Sequence, residues 1–362
     1  MNKENTMIRI NGKEYTQHEL SLLIEQNLSK APCSEWEREL YLFLQEWILE
    51  SEAIAVQTSG STGAPQIIRL PKTMVQQSAL RTIEYFSLKK GNRLLLSLPC
   101  RFIAGKMMVI RAMAGQMDLI TVDPSLESDL LLNNTFDLGA MVPNQVVKLL
   151  ESPRGKEKLE NIRNLLIGGS SIQPTLENQV SGLSNLVVST YGMTETASHI
   201  AIRILSGPNR SDIYHCLPGI TISVDKDDCL QIHLPDQQTF HTKDIAQVLS
   251  PVTFRILGRA DDVIISGGIK YWPEAIEKKL QQIISGRFVI SSLPDEKLGE
   301  KLVLVMEGTP SDSEGIRQKI IQLLPPFERP KEIFHLERFP ETDNGKLKRK
   351  EIKRIIGEQF KV

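Results

Sequence analysis

One short stretch, VQTSGSTGAPQ (Val56–Gln66), carries residue types suited to holding an anion. Gly60 and Gly63 let the backbone turn with its N–H groups facing inward, and Thr58, Ser59, Ser61 and Thr62 add hydroxyl donors. Such a composition suits a phosphate cradle and equally a plain surface turn. It is not a Walker loop, because no GxxxxGK[ST] string occurs anywhere in the chain. Gln66 stands where a phosphate loop usually carries a lysine.

Three further strings hold reactive side chains at loop positions. YGMTET (Tyr191–Thr196) follows an apolar run, and so does GRADDVIISGGIKYWPEAIE, which starts at Gly258. PETDNGKLKR lies close to the C-terminus and holds Lys346. Each has a bland reading beside the chemical one. Asp261 and Asp262 suit a solvated turn. Lys348, Arg349, Lys350 and Lys353 suit the wet face of a helix. His199 reads as a core histidine or a pocket residue, and Trp272 and Pro273 as packing and helix-start residues.

The elements that must position these loops alternate between strands and helices. MIRINGKEYTQHELSLLIEQ predicts a hairpin and a helix capped by Thr16 and Glu19; SEWERELYLFLQEWILES predicts a second helix capped at Ser34. AIAVQT is a strand running into the glycine-rich loop. RLLLSLP and DLITVDP predict buried parallel strands with FIAGKMMVIRAMAGQ as the crossover helix. That apolar stretch is broken by Arg101, Lys106 and Arg111, so it does not read as a membrane span. DLGAMVP, NLLIGG and NLVVSTYG repeat the strand pattern. The fold class is therefore α/β with a doubly wound sheet, whose ligands sit at the carboxyl ends of strands, at Thr58–Gln66, Gly168–Ser171 and Tyr191–Thr196. From Leu217 the pattern changes to short strands, a small β unit, and a second, smaller α/β domain begins at Gly258.

Composition narrows the class. The 362 residues suffice for two or more domains, and 43 Lys+Arg against 44 Asp+Glu give no global pull toward nucleic acid or an anionic membrane. Cys33, Cys100, Cys216 and Cys229 form no CxxC pair, which suits a reduced, cytoplasmic protein. The first residues have no signal-peptide core.

The four strings, in this order and spacing, resemble the adenylate-forming superfamily of acyl-CoA synthetases, peptide-synthetase adenylation domains and luciferases. The resemblance runs from about Ile54 to the C-terminus. It implies an N-terminal ATP- and acyl-binding domain at 1–257 and a mobile C-terminal domain at 258–362. It implies that Thr58–Gly63 hold the β- and γ-phosphates of ATP, that Gly168, Gly169 and Ser170 lie beside the adenine, and that Tyr191, followed by Gly192 and Met193, stacks on it. Thr194 matches the hydroxyl on the α-phosphate, Glu195 the magnesium ligand, and Asp244 and Arg259 the ribose contacts. Asp261 falls at the hinge, Lys346 matches the mobile catalytic lysine, and Gly267, Gly268 and Lys270 would line the coenzyme A path.

The phosphate loop begins only 58 residues into the chain, so much of the usual first subdomain is missing. Compact members of this kind resemble the o-succinylbenzoate-CoA ligases of menaquinone synthesis. That resemblance implies 2-succinylbenzoate, ATP, Mg²⁺ and coenzyme A as the small-molecule partners, with Thr190, Ser198, His199 and Phe102 at the acyl pocket. Competing readings are an adenylating enzyme that loads a carrier protein and a degenerate nucleotide-binding protein. Three residues depart from the family pattern: Gln66 for the loop lysine, Phe102 for the histidine of PxxHxxG, and Lys243 for the glycine of TGD.

Overall fold

The computed structural model describes residues 7–29, 33–57, 66–126, 129–284, 286–308, 313–341 and 347–359. They form two compact units, Met1–Ile220 and Thr221–Val362. The expected phosphate-loop residues Thr58–Gly63 and the expected catalytic Lys346 lie outside the described residues.

The first unit contains β1 (Ile8–Ile10), β2 (Lys13–Tyr15), α1 (Gln17–Ser29), α2 (Glu35–Ile48), β3 (Ala53–Gln57), β4 (Ile67–Pro71), α3 (Lys72–Tyr85), β5 (Arg93–Leu96), α4 (Ile103–Ala114), β6 (Asp118–Thr121), β7 (Phe136–Met141), α5 (Pro143–Glu151), α6 (Gly155–Glu160), β8 (Ile162–Ile167), α7 (Pro174–Ser181), β9 (Leu186–Met193), β10 (Ser198–Ile204) and β11 (Tyr214–Cys216). Its sheet runs β11-β10-β9-β8-β7-β5-β6-β1-β2. The pairs β9–β8, β8–β7, β7–β5, β5–β6 and β6–β1 are parallel, and β10 turns back antiparallel on β9. Buried Leu95, Met141, Ile167 and Val187 come from neighbouring parallel strands and share one core with Leu176 and Val180 of α7. The Thr16 cap forms, the Glu19 N–H donating to Thr16 Oγ1 and the Thr16 N–H to Glu19 Oε2; at Ser34, the N-cap of α2, the N–H and Oγ both donate to Glu37 Oε2, and the hydroxyl caps no helix N–H.

One element differs from the sequence reading. AIAVQT is not a strand of the large sheet. It is β3, paired antiparallel with β4 in a separate two-stranded sheet. The last described pair before the expected phosphate-loop residues is Gln57 with Ile67. Apolar runs of this length look alike in a parallel core strand and in a hairpin, and only partner strands separate them.

The second unit contains β12 (Thr221–Val224), β13 (Cys229–His233), β14 (Thr239–Ser250), β15 (Thr253–Arg259), β16 (Ile264–Ser266), β17 (Ile269–Tyr271), α8 (Pro273–Leu280), β18 (Phe288–Asp295), β19 (Gly299–Glu307), α9 (Ser313–Leu323), β20 (Glu332–Leu336) and α10 (Arg349–Gln359). The strands β12 to β15 are an antiparallel run in chain order. A second sheet, β17-β16-β19-β18 with β20 beside β19, is covered by α8, α9 and α10. Arg349 is not on the wet face of its helix as the sequence reading has it. Its Nη1 and Nη2 donate 2.7 Å bonds to the two oxygens of Glu277, because the side chain faces α8. Among the described residues the four cysteines are free thiols, and no helix is long and apolar enough to cross a membrane.

Candidate functional site

The YGMTET string is where β9 ends and turns into β10. Thr194–Thr196 form a single 3₁₀ turn, and the pairs Met193 with Ser198 and Gly192 with His199 close the hairpin. Gly192 is demanded by that closure: a Cβ there would sit 2.3 Å from the Ser198 carbonyl oxygen and 2.5 Å from His199 Cα. Ala197 and Ser198 both take positive φ, 53° and 98°, a conformation that costs about 1–3 kcal/mol each outside glycine. Side chains hold it in place. Ser78 Oγ on α3 donates to the Ala197 carbonyl at 2.7 Å. Thr196 Oγ1 accepts the Met193 N–H at 3.1 Å and lies 2.9 Å from the Ser198 carbonyl. The second threonine of the motif therefore shapes the turn, while Thr194 and Glu195 stay partly exposed.

Tyr191 and Tyr214 stand with ring centroids 5.7 Å apart, tilted by 58°. Tyr214 is fixed from behind. Its hydroxyl lies 3.1 Å from Ser189 Oγ and accepts Arg203 Nε at 3.3 Å, and Arg203 is itself ion-paired to Glu177. At the end of β8, Gly168 faces Thr190 so closely that a Cβ would lie 2.1 Å from Thr190 Oγ1. Gly169 follows at φ 87°. Gly168, Thr190 and Tyr191 thus share the carboxyl end of β8 and β9, as the sequence reading expects of an α/β sheet.

The expected pocket residues Ser198 and His199 meet a side chain that sequence reasoning noted only as a break in an apolar run. Arg111 sits in the middle of α4 and is 2% exposed. Its Nη2 lies 3.3 Å from Ser198 Oγ and 3.4 Å from His199 Nδ1, and Nη1 reaches Met108 Sδ at 3.5 Å. Its Nε has no partner, and among the described residues no carboxylate pairs with it. Burial pulls the guanidinium down to about 9, so it remains a cation at neutral pH. His199 is buried between Arg111 and Thr82, whose Oγ1 lies 3.4 Å from its Nε2. Burial first and the Arg111 charge second hold its imidazole neutral, well below the usual histidine range. The signal in the sequence is a charged residue within a helix whose residues from Gly105 to Ala112 are all buried. Phe102, the other expected pocket residue, is the N-cap of α4, and the Arg101 guanidinium covers its ring at 4.9 Å.

In the second unit, Asp244 on β14 is paired with Arg259 on β15, and Arg259 Nη1 donates to Asp244 Oδ1 at 2.8 Å. Asp261 follows in a 3₁₀ turn and takes Lys243 Nζ at 3.1 Å on both oxygens, with Arg259 Nη2 at 3.8 Å. The lysine that departs from the TGD pattern is therefore an ion-pair partner of Asp261. Gly267 and Gly268, at φ 57° and 80°, form the two-residue turn between β16 and β17, where two positive φ values are the requirement of a tight hairpin. Lys270 beside them is exposed.

The donor chemistry fits the implied groups. Among the described residues no cluster of three or more His, Cys, Asp or Glu could cage a metal. A lone carboxylate such as Glu195 is what Mg²⁺ uses when phosphates and water complete its shell.

Known proteins resemble this chain in sequence and in fold. Residues 12–236 match the model of a family described as AMP-binding enzyme. The 2-succinylbenzoate–CoA ligase of Lactococcus lactis is 25% identical over 326 residues, covering 84% of this chain and 71% of that protein. The solved structure of an acyl-CoA synthetase (AMP-forming)/AMP-acid ligase II-like protein from Dyadobacter fermentans is 32% identical, covers 92% of this chain and 97% of its own, and superposes with a TM-score of 0.61. The o-succinylbenzoate coenzyme A synthetase of Bacillus subtilis, solved with ATP and magnesium, shares the fold at 20% identity and a TM-score of 0.69, over 93% of this chain and 82% of its own. The chain thus belongs to the AMP-binding enzyme family, the AMP-forming acid–thiol ligases.

Proposed function

We propose that the protein activates 2-succinylbenzoate as an acyl adenylate and transfers the acyl group to coenzyme A. The observation that carries the choice of acid is Arg111: a buried cation with an unpartnered Nε, touching Ser198 and His199. An unpaired buried charge is costly, so a site that keeps one is built for an anion that arrives with the substrate. A keto-diacid offers that second carboxylate, and relatives named for 2-succinylbenzoate support the reading.

In the first half-reaction the other carboxylate attacks the α-phosphorus, the bond to the β-phosphate breaks, and pyrophosphate leaves. The nucleophile is already an anion, so no general base is required. Positioning and charge stabilisation dominate such transfers. Tyr191, backed by Tyr214, flanks the base with Gly168, Gly169 and Ser170; Asp244 and Arg259 hold the ribose; Thr194 donates to the α-phosphate. Lys346 brings its cation to the developing charge. Mg²⁺, held by Glu195, supplies further neutralisation of the phosphates when bound. In the second half-reaction the thiol adds to the acyl carbonyl and AMP leaves. Residues 258–362 turn about Asp261 between the two steps and bring Gly267, Gly268 and Lys270 to the thiol path.

Pyrophosphate exchange into ATP tests the first step: it is expected to depend on 2-succinylbenzoate and to fall at least a hundredfold in Lys346→Ala. The same variant is expected to retain thioester formation from preformed adenylate. Equal loss of both steps would refute the role given to Lys346. Transfer to a phosphopantetheinyl carrier protein but not to free coenzyme A would select the carrier-loading reading instead.

A further inference from the structure

We propose that Lys106 and Glu46 are a positioning pair that sets the entry strand of the ATP-phosphate loop; the inference rests on that loop's proposed role.

The strand β3 has one partner, β4, and its other edge meets no strand among the described residues. An open edge leaves main-chain groups to be satisfied by something else. At Ala55, three residues before Thr58, two side chains do this. The Ala55 N–H donates to Glu46 Oε1 at 2.6 Å, and the Ala55 carbonyl accepts Lys106 Nζ at 2.7 Å. Lys106 Nζ also donates to Glu46 Oε2 at 2.9 Å, which closes the ring of contacts. Glu46 comes from α2 and Lys106 from α4, so two helices grip one residue of the strand. Lys106 is 6% exposed, and its ammonium lies 4.7 Å from the Phe43 ring centroid. The pair reproduces with side chains the two hydrogen bonds that a neighbouring strand would make.

The exit of the hairpin is tied to the same helix. Lys72, next after β4, donates its main-chain N–H to the Glu52 carbonyl at 2.8 Å. Its Nζ donates to the carbonyls of Trp47 and Leu49 at 2.7 Å each, at the end of α2. Entry and exit of the loop are therefore both referenced to α2. Such anchoring matters more here than where a loop lysine is present. Gln66 brings no charge, so a phosphate bound there would have to rely on neutral hydrogen bonds, whose strength depends on direction.

The pair belongs to the nucleotide step alone, which separates it from a purely structural salt bridge. In Lys106→Met the Ala55 carbonyl loses its donor. The KM for ATP in the adenylation half-reaction is expected to rise about tenfold, the loss of one charge-assisted hydrogen bond. Thioester formation from preformed acyl adenylate is expected to stay within about twofold. Glu46→Gln keeps an acceptor for the Ala55 N–H and provides the same readout if Lys106→Met fails to fold; a smaller rise in the KM for ATP, about threefold, is expected. Unchanged KM for ATP in a folded variant, or parallel loss of both half-reactions, overturns the proposal. Wild-type protein assayed alongside keeps the two questions apart: if it forms no AMP with any acid, the reading of the loop fails rather than the pair.

Discussion

Arg111 on α4 and Ser198 at the start of β10 meet at 3.3 Å, Nη2 to Oγ, although 87 positions separate them in the chain. The contact joins a helix interior to a backbone turn held at positive φ. It puts a fixed cation with spare donor capacity beside Ser198 and His199, on what we propose is the acyl side of the site.

Removing that cation is expected to separate function from stability. Arg111→Met should raise the KM for 2-succinylbenzoate about 10- to 100-fold, the value of a hydrogen bond to a charged group, with the KM for ATP unchanged. Its folding stability should be equal or higher, because an uncompensated buried charge is lost. Steady-state kinetics with each substrate varied, and urea denaturation, check the two halves. A loss of stability with intact acid affinity would place Arg111 in the core alone.

His199 should make stability pH-dependent in a defined direction. Its folded-state value lies well below the unfolded value of 6.5, so between the two the unfolded chain binds the extra proton. The stability contributed is complete above 6.5 and is lost as pH falls toward the folded value. The groups facing it are Arg111, Ser198 and Thr82, and none supplies a negative charge to reverse the sign. In His199→Gln, denaturation midpoints measured between pH 7.5 and 5.5 should decline less steeply than in the wild type, by up to about 1.4 kcal/mol per pH unit.

Arg349 and Glu277 form a bidentate pair between α10 and α8. Arg349→Met should cost about 3–5 kcal/mol, since it leaves the Glu277 carboxylate uncompensated. Arg349→Lys should recover only part of this, because an ammonium cannot match both oxygens. Urea denaturation of the three proteins makes the comparison.

Much of this molecule can be read from its sequence, and the exceptions share a cause. The parallel strands ending at Ile167 and Met193, the cap at Thr16 and the helix start at Ser34 follow from local patterns of a few residues. Gly267–Gly268 and Tyr191–Thr196 are likewise contiguous strings, and each forms a tight turn in the structure. Arg111, Lys106 and Arg349 are different. Each is one charged residue whose partners lie 51 to 88 positions away, as Ala55, His199 and Glu277 show. Periodicity registers them as interruptions or as wet faces, and only the packed helices reveal which way they point. The placement of β3 outside the large sheet escapes for the same reason, since strand partnership is a long-range property.

Gln66 gives a gain-of-function check. Gln66→Lys restores a cation at the end of the phosphate loop and should lower the KM for ATP about three- to tenfold. The thioester half-reaction should not change. Unaltered ATP kinetics would mean that position 66 does not reach phosphate and that the cradle is main chain and hydroxyl alone.

The most direct measurement is a product assay on the wild-type protein. Incubated with ATP, Mg²⁺, coenzyme A and 2-succinylbenzoate and followed by mass spectrometry, it should form AMP and the 2-succinylbenzoyl thioester in equal amounts. An analogue lacking the carboxylate that is not adenylated should react at least tenfold less efficiently, having nothing to offer Arg111. Folded protein that forms neither product, or that uses both acids equally well, would contradict the assignment.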